Sequence, residues 1–208
     1  MRAHRILALL VFGLAWSPAL PVDRAKAADS NGAYAIDGGG GAPCKAFTDS
    51  RKAGNAKAAD LFAGWVDGYL SAANKNSPDT FDLTPWQTTD LLLALLERYC
   101  ASYPEDLFEI AVNNMIQALH PQRIIARSDK LLAGNKEKGV PIYRETLQRV
   151  QQSLSDQGFY KGSIDGNYSK AMHAALSEFQ KKNGINVTGL PDQESLFRLL
   201  PLKAKKPD

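Results

Sequence analysis

Two glycine-bounded loops divide the C-terminal part of the chain into three short helices. Apolar residues recur at helical spacing before Gly158 and again before Gly184, and glycine commonly ends a helix in a left-handed conformation. A second glycine follows each of these, at Gly162 and Gly189, and Asp192 is a good N-cap for a third helix. The pattern predicts a helix–loop–helix–loop–helix module with a faint internal repeat. The apolar loop residues expected to pack beneath its helices are Phe159, Ile164, Ile185 and Val187.

The preceding part of the chain is also predicted to be helical. Apolar residues repeat at helical spacing over 59–73, 91–99 and 107–119. Two stretches that begin at Thr84 and Ser102 each place a proline and then a polar residue after a capping residue, so we expect helices to begin there.

The chain is therefore expected to be mainly α, with two small helical bundles joined by a linker. The predicted segments are a signal peptide over 1–27, a flexible leader over 28–43, a disulfide-pinned unit of three to four helices over 44–127, a linker over 128–140, the three-helix module over 141–202 and a basic tail over 203–208. The run Gly38–Gly41 is the basis for the flexible leader.

The N-terminus has the features of a secretory signal. Basic residues at Arg2 and Arg5 precede an apolar stretch over 6–16 that is short for a bilayer span. The triplet that ends at Ala27 has the small residues of a cleavage site, so we expect cleavage after Ala27 and a periplasmic protein with no membrane span. An uncleaved membrane anchor is the alternative.

The two cysteines, Cys44 and Cys100, are expected to form a disulfide, because an exported chain enters an oxidising compartment. Two buried free thiols are the alternative. The bridge would close a long loop, which is worth on the order of 4 kcal/mol in the chain-entropy model.

Net charge argues against a nucleic-acid partner. The chain has 25 Lys and Arg and 22 Asp and Glu, and since four of the bases and one of the acids precede residue 28, the rest of the chain has 21 of each. Phosphate binding needs a basic surplus. The basic tail, with Lys203, Lys205 and Lys206, is interpreted as a solvated end.

Many residues of the C-terminal module follow the pattern of one family. These are Leu147, Gln151, Leu154, Gly158, Phe159, Tyr160, Gly162, Ile164, Asp165, Gly166, Tyr168, Ala175, Leu176, Phe179, Gln180, Gly184, Ile185, Val187, Thr188, Gly189 and Asp192. The module resembles the peptidoglycan-binding type 1 domain, and the spacing from Asp165 to Gln180 fits without a gap. Two positions depart from the family's pattern, since Ser169 stands in place of glycine and Met172 in place of threonine.

This resemblance implies that peptidoglycan is bound in a shallow groove beside the loop 165–168. Tyr160 and Tyr168 would stack on sugar or peptide, and Lys161 or Lys170 would meet a stem-peptide carboxylate. The ligand-binding residues that it implies are Tyr160, Lys161, Asp165, Gly166, Tyr168 and Lys170. Structural roles are the alternative, with Asp165 as a turn and cap acceptor, Gly166 as a turn glycine and both tyrosines in half-buried packing.

The first helical unit resembles two groups of small exported helical domains with one disulfide, the HdeA-type acid-stress chaperones and the Rap/Tai-type immunity proteins. The shared features are Cys44, the helix that contains Gly64-Trp65-Val66-Asp67-Gly68-Tyr69, and Cys100 after a later helix. Gly64 and Gly68 have two interpretations, which are close packing between helices or a helix face that docks a protein partner.

No catalytic constellation is evident in the sequence. The histidines outside the signal, His120 and His173, lie in different units, and acids near Glu105 suit a helix start. We therefore predict a non-catalytic protein with no metal and no cofactor, which binds peptidoglycan and presents its first helical unit to a protein partner. The alternatives are a periplasmic chaperone or immunity-like protein held at the wall and, as a third class, a wall hydrolase or its accessory.

Overall fold

The computed structural model describes residues 28, 29 and 31–202. The predicted signal peptide over 1–27 and the basic tail over 203–208 lie outside these residues. The chain divides into two units after Ala35. In the shorter unit, the Asp29 carboxylate closes a turn by accepting hydrogen bonds from the backbone amides of Asn31 and Ala33. The elements described below all belong to the longer unit.

The regular elements in the described part of the longer unit are seven α-helices, one β-hairpin and two short 3-10 helices. The helices are α1 (Cys44–Lys52), α2 (Ala56–Asn76), α3 (Thr89–Ser102), α4 (Phe108–Leu119), α5 (Arg144–Asp156), α6 (Lys170–Lys182) and α7 (Gln193–Leu199). The antiparallel strands are β1 (Lys130–Gly134) and β2 (Gly139–Tyr143). Two hydrophobic cores are present, one among α1 to α4 (the N-terminal bundle) and one among the hairpin and α5 to α7 (the C-terminal module). The predicted fold class, mainly α with two helical bundles, is confirmed.

Aromatic rings fill the centre of the N-terminal bundle. Phe47 of α1, Phe62 of α2 and Phe108 of α4 contact one another, and the Phe47 and Phe108 ring centroids are 4.7 Å apart. The predicted disulfide is present and joins Cys44 at the start of α1 to Cys100 of α3, where both are fully buried. The bridge and the rings together hold α1, which the sequence patterns do not predict as a helix, against the rest of the bundle.

The glycine run of the predicted leader is folded against α2. Gly38–Gly41 forms a 3-10 helix in which Gly39 and Gly40 are buried. A Cβ atom on Gly40 would collide with the indole of Trp65, and the Trp65 Nε1 donates to the carbonyl of Asp37 at 2.7 Å. Because glycine has no side chain, this backbone can lie directly on an aromatic ring. The composition of the run alone indicates a flexible segment instead.

Helices α3 and α4 begin later than the sequence pattern predicts. The Thr88 hydroxyl, rather than that of Thr84, caps α3 by accepting from the amide of Leu91 at 3.3 Å. Helix α4 begins at Phe108, beyond the predicted signal at Ser102. That region instead provides backbone carbonyls that accept from the first amides of α1, so before α4 tertiary pairing replaces the expected local cap.

A β-hairpin occupies most of the segment predicted as a linker. Strand β1 pairs with β2 from Lys130 opposite Tyr143 to Gly134 opposite Gly139, and Ala133 and Ile142 are buried in the core of the module. Helix α5 consequently begins after Tyr143, whereas residue 141, at which the three-helix module is predicted to begin, lies in β2. Two short strands with a polar turn between them have the same composition as a linker. Only the burial of their residues in the core distinguishes the hairpin from a linker.

Hydrogen bonds join the bundle and the module within the longer unit. The Gln122 side-chain amide, just after α4, donates to the carbonyls of Leu200 and Pro201 at 3.2 and 3.1 Å. In the opposite direction, the Arg149 guanidinium of α5 donates to the carbonyls of Gln122 and Arg123. We call this set of contacts the seam.

Tyr143 extends the seam at the end of β2. Its hydroxyl donates to the Asp82 carboxylate at 3.0 Å. Burial and the neighbouring Asp82 charge raise the pKa of Tyr143 from 10.0 to about 12. The phenol therefore remains a hydrogen-bond donor over the whole physiological pH range.

Candidate functional site

The first loop of the module is organised by Gln151. This residue of α5 is fully buried, and its amide nitrogen donates to Asp165 Oδ1 at 3.0 Å and to the carbonyl of Asn167 at 3.1 Å. Its amide oxygen accepts from the Gly166 backbone at 2.7 Å. Gly166 has a φ of 71°, and a Cβ atom there would collide with Arg144. A glycine and a glutamine together therefore fix the turn at 165–167.

The second loop is organised in the same way by Gln180 of α6. This residue is also fully buried, and its amide oxygen accepts from the backbone of Thr188 and Gly189 at 2.9 and 2.7 Å. The acceptors within 3.3 Å of its amide nitrogen are Thr188 Oγ1, the Leu190 carbonyl, Asp192 Oδ2 and Ser195 Oγ. The faint internal repeat in the sequence thus corresponds to two loops that each close on a buried glutamine.

A groove of about 1020 Å³ opens beside the second loop. We call it the module groove. The residues that line it are Gly134, Asn135 and Lys138 of the hairpin tip, Tyr168, Ser169, Lys170 and His173 around the start of α6, and Asn186, Val187, Thr188 and Leu190 of the second loop. Three separate stretches of chain therefore build one open site.

Gly189 is the point where the second loop meets α6 behind the groove. The Tyr168 hydroxyl donates to its carbonyl at 2.7 Å. Its φ is 69°, and the His173 ring lies so close that a Cβ atom would collide with it. Burial raises the pKa of the Tyr168 phenol above its ordinary value, which keeps this phenol protonated as a donor. Tyr168 and His173 are thus held in place by the loop that they help to form.

The two departures from the family pattern have structural roles here. The Ser169 hydroxyl caps α6 by accepting from the amide of Met172 at 3.2 Å, which a glycine cannot do. Met172 is itself fully buried in the module core. Serine and methionine at these positions support the start of the helix on which the groove depends.

The side chains with basic groups around the groove have no acidic partner in the part of the chain that the structure describes. Lys138, Lys170 and His173 are the ionisable lining residues other than Tyr168. Among the described residues, no ion pair involves any of the three. Val187, which is 54% exposed, adds an apolar surface. The arrangement suits a ligand that has both apolar and anionic or polar groups.

Of the six predicted ligand-binding residues, Tyr168 and Lys170 lie in the groove and four lie elsewhere. Tyr160 is only 6% exposed, and its hydroxyl donates to the carbonyl of Ser163 at 3.2 Å, so it belongs to the core. Lys161 is exposed but does not line the groove.

Asp165 and Gly166 form the first loop rather than the groove wall. The Asp165 carboxylate accepts from the backbone amide of Asn167 and from the side chains of Gln151 and Asn167. These hydrogen bonds, that of the Asn167 backbone most of all, lower the pKa of Asp165 from 3.8 to about 2. Its position matches the structural alternative stated for it, a turn acceptor.

The groove also contains residues that the sequence patterns do not single out. Lys138 and Asn135 precede the predicted start of the module, and His173 and Asn186 occupy positions that the family pattern leaves open. Gly134 and Gly139 bracket the polar tip, and they are the one signal in the sequence that favours a hairpin there.

The described residues also lack two other kinds of feature. No three His, Cys, Asp or Glu side chains in that part of the chain lie together in a group that could hold a metal ion. No helix there is both long and apolar enough to cross a membrane.

The segment that contains both glutamine-closed loops matches a known family. Residues 143–199 match the model of the family described as a putative peptidoglycan binding domain. The predicted resemblance of the C-terminal module is confirmed. The match begins at the last residue of β2 and ends with α7, so the hairpin tip and the N-terminal bundle lie outside it.

One curated relative is the N-acetylmuramoyl-L-alanine amidase CwlM of Mycobacterium tuberculosis (strain ATCC 25618 / H37Rv), which is 33% identical over 67 residues. The alignment covers 32% of this chain and 16% of the amidase. No solved structure gives a significant match. The resemblance of the bundle to HdeA-type and Rap/Tai-type domains stays a prediction.

Proposed function

We propose that this chain is an exported, non-catalytic protein that binds peptidoglycan through the module groove and presents the N-terminal bundle in the periplasm. The observation that carries the proposal is the family match over 143–199, which coincides with the part of the fold that builds most of the groove. The apolar stretch over 6–16 and the small residues before Ala28 support export. The disulfide fits an oxidising compartment.

The shape and lining of the groove support binding to a polymer of sugars and peptides. The groove has a volume of about 1020 Å³ and is lined by three separate stretches of chain. Val187 and the Tyr168 ring offer apolar surface, and Lys138 and Lys170 offer charge for carboxylates. These groups bind and orient a ligand.

A non-catalytic role is supported by where the reactive side chains lie. Both cysteines are in the disulfide. His120 is beside the seam and His173 is in the groove, so the two histidines do not share a site. A zymogram with purified mature protein is expected to show no wall lysis, and a cleared band would assign the chain to the hydrolases instead.

Wall binding is tested by co-sedimenting the mature chain, residues 28–208, with insoluble peptidoglycan. We expect wild-type protein in the pellet and clear loss with Val187→Glu, which places a carboxylate in the groove. The matched control is Ile164→Glu, since Ile164 is an exposed apolar residue of the first loop, 39% exposed and outside the groove. Wild-type protein that stays in the supernatant would refute wall binding, and equal retention of both variants would refute the groove as the site.

Export is tested separately by the mass of the protein recovered from the periplasm. Cleavage after Ala27 is expected to yield a chain that begins at Ala28. An intact N-terminus in a membrane fraction would favour the uncleaved anchor.

A protein partner for the bundle is the remaining part of the proposal. Tyr103, Leu107 and Ile110 are exposed around the start of α4, which supports a contact surface on this side. Suppression of the aggregation of an acid-denatured client would favour the chaperone alternative, and protection against one co-encoded toxin would favour the immunity alternative.

A further inference from the structure

The hairpin tip lies outside the family match and yet forms one wall of the module groove. A Cβ atom on Gly134 would lie 3.0 Å from Leu190 Cδ2, so the tip packs directly on the second loop. The Asn135 side chain accepts from the backbone amides of Glu137 and Lys138 at 3.0 and 2.8 Å. These contacts fix the backbone from which the Lys138 side chain extends.

This wall adds a second lysine to the groove. Lys170 is the first residue of α6, and Lys138 belongs to the hairpin tip, so the two come from different walls. Glu137 is adjacent to Lys138 in the chain but does not line the groove. Within the described part of the chain neither lysine is in an ion pair. Both ammonium groups thus remain available to a ligand.

We propose that Lys138 and Lys170 together bind a free carboxylate of a wall peptide, so that the groove distinguishes peptides with free carboxylates from the same peptides in amidated form. The inference rests on the proposed wall binding and specifies the ligand chemistry of that site. An amide has no net charge, so an amidated peptide lacks the electrostatic attraction that a free carboxylate has to the two ammonium groups. Each exposed pair of this kind is expected to change affinity about two- to fivefold.

The test uses the mature chain and soluble muropeptides, which lack the phosphates of other wall polymers. Affinities are measured by titration at low ionic strength for muropeptides with free carboxylates and for the same preparation amidated with carbodiimide and ammonia. We expect about tenfold tighter binding of the free form. This preference should diminish as salt is added, because exposed charges are screened.

Substitutions of single lysines test which residues give the preference for the free carboxylate. Lys138→Gln and Lys170→Gln are each expected to weaken binding of the free form about two- to fivefold and to leave the amidated form unchanged. Matched controls are Lys136→Gln, on the same turn, and Lys161→Gln, at the position suggested by the family resemblance; both lysines are exposed and outside the groove. All four variants should keep the wild-type unfolding midpoint, which shows that the fold is intact.

The outcomes separate this inference from the function on which it rests. Equal affinity for the free and amidated muropeptides, or an equal loss with Lys136→Gln, would overturn the two-lysine site while wall binding stands. Binding of neither form, together with no retention on insoluble peptidoglycan, would remove the proposed function itself.

Discussion

Gln180 shows how much of the module depends on single polar side chains in its core. The carboxamide is fully buried and hydrogen-bonds to the second loop through both its oxygen and its nitrogen. Buried polar groups of this kind contribute little net energy when satisfied, but leaving their partners unsatisfied is costly. The stability of the second loop, which lines the groove, therefore depends on the hydrogen bonds of this one side chain.

We predict that Gln180→Ala lowers the free energy of unfolding by about 3 kcal/mol, because the buried amides of Thr188 and Gly189 lose their acceptor and a cavity remains. Denaturant unfolding of the mature chain measures this. Lys181→Ala, at an exposed neighbour on the same helix, should change the value by less than about 0.5 kcal/mol. Equal effects of the two substitutions would contradict the assigned role.

Asp165 makes the stability of the first loop depend on pH. Its pKa is about 2 in the folded chain, whereas the ordinary value for an aspartate is 3.8. Because the folded value is the lower one, its stabilising effect is complete above the unfolded pKa and is lost as the pH falls from about 4 towards 2. Asp165→Asn is expected to lower stability at neutral pH and to flatten this acid dependence.

A carboxyl titration followed by NMR, together with unfolding curves across this pH range, checks the prediction. A titration midpoint for Asp165 close to its ordinary value would contradict it. So would an acid dependence that Asp165→Asn leaves unchanged.

At the scale of elements, helix α2 has two glycines that make no packing contact. A Cβ atom on Gly64 or Gly68 would meet no atom within 4 Å, so the interpretation as close helix–helix packing is wrong. The glycines lie on an exposed face of α2. They lower the stability of the helix there, and no packing contact within the described structure compensates for this loss. The alternative interpretation, a face that docks a partner, stays a prediction.

We expect Gly64→Ala and Gly68→Ala each to raise the free energy of unfolding by about 1 kcal/mol, because alanine favours the helix. Gly40→Ala is the contrasting control and should destabilise the bundle, since its Cβ atom would collide with Trp65. Thermal or denaturant unfolding of the three variants gives the comparison. A loss of stability with either α2 variant would show that the exposed face is tightly packed after all.

At the scale of the whole molecule, the seam links the C-terminal module to the N-terminal bundle by direct contacts. Arg149 is central to it, since its guanidinium donates to two carbonyls just after α4. Burial lowers the pKa of the Arg149 guanidinium, an effect opposed by the nearby charge of Glu145, and an arginine remains charged at any physiological pH. The bundle is thereby presented at a defined orientation to the module rather than on a loose tether.

Arg149→Ala is predicted to cost about 2 kcal/mol, because two carbonyls lose a charged donor, and to let the bundle and the module unfold at different denaturant concentrations. Amide NMR signals from each part report the two transitions. Arg198→Ala, which removes an exposed pair with Glu194 on α7, is the control and should leave one shared transition. Coincident transitions in the Arg149 variant would show that the seam does not couple the two parts.

The sequence predicts those parts of the fold that depend on local interactions. Helix periodicity, the αL glycines at Gly158 and Gly184 and the cap at Asp192 act within a few residues, and the structure has each of them. The disulfide was also predictable, because the chain has two cysteines and one pairing. The starts of α3 and α4 were misplaced for two different reasons. Helix α3 is capped locally, but by Thr88 rather than Thr84. The region before α4 is held by tertiary backbone hydrogen bonds to α1 and Ala42.

The groove depends both on local sequence patterns and on tertiary contacts. The family pattern by itself determined which segment resembles the peptidoglycan-binding domain, and it named Tyr168 and Lys170, which lie in the groove. Only the tertiary structure brought Lys138, Asn135 and the hairpin tip beside them, and only burial showed that Tyr160 is a core residue. Local patterns report dihedral preferences and periodicity, whereas a groove is defined by which distant surfaces come into contact, and this is a property of the packed chain.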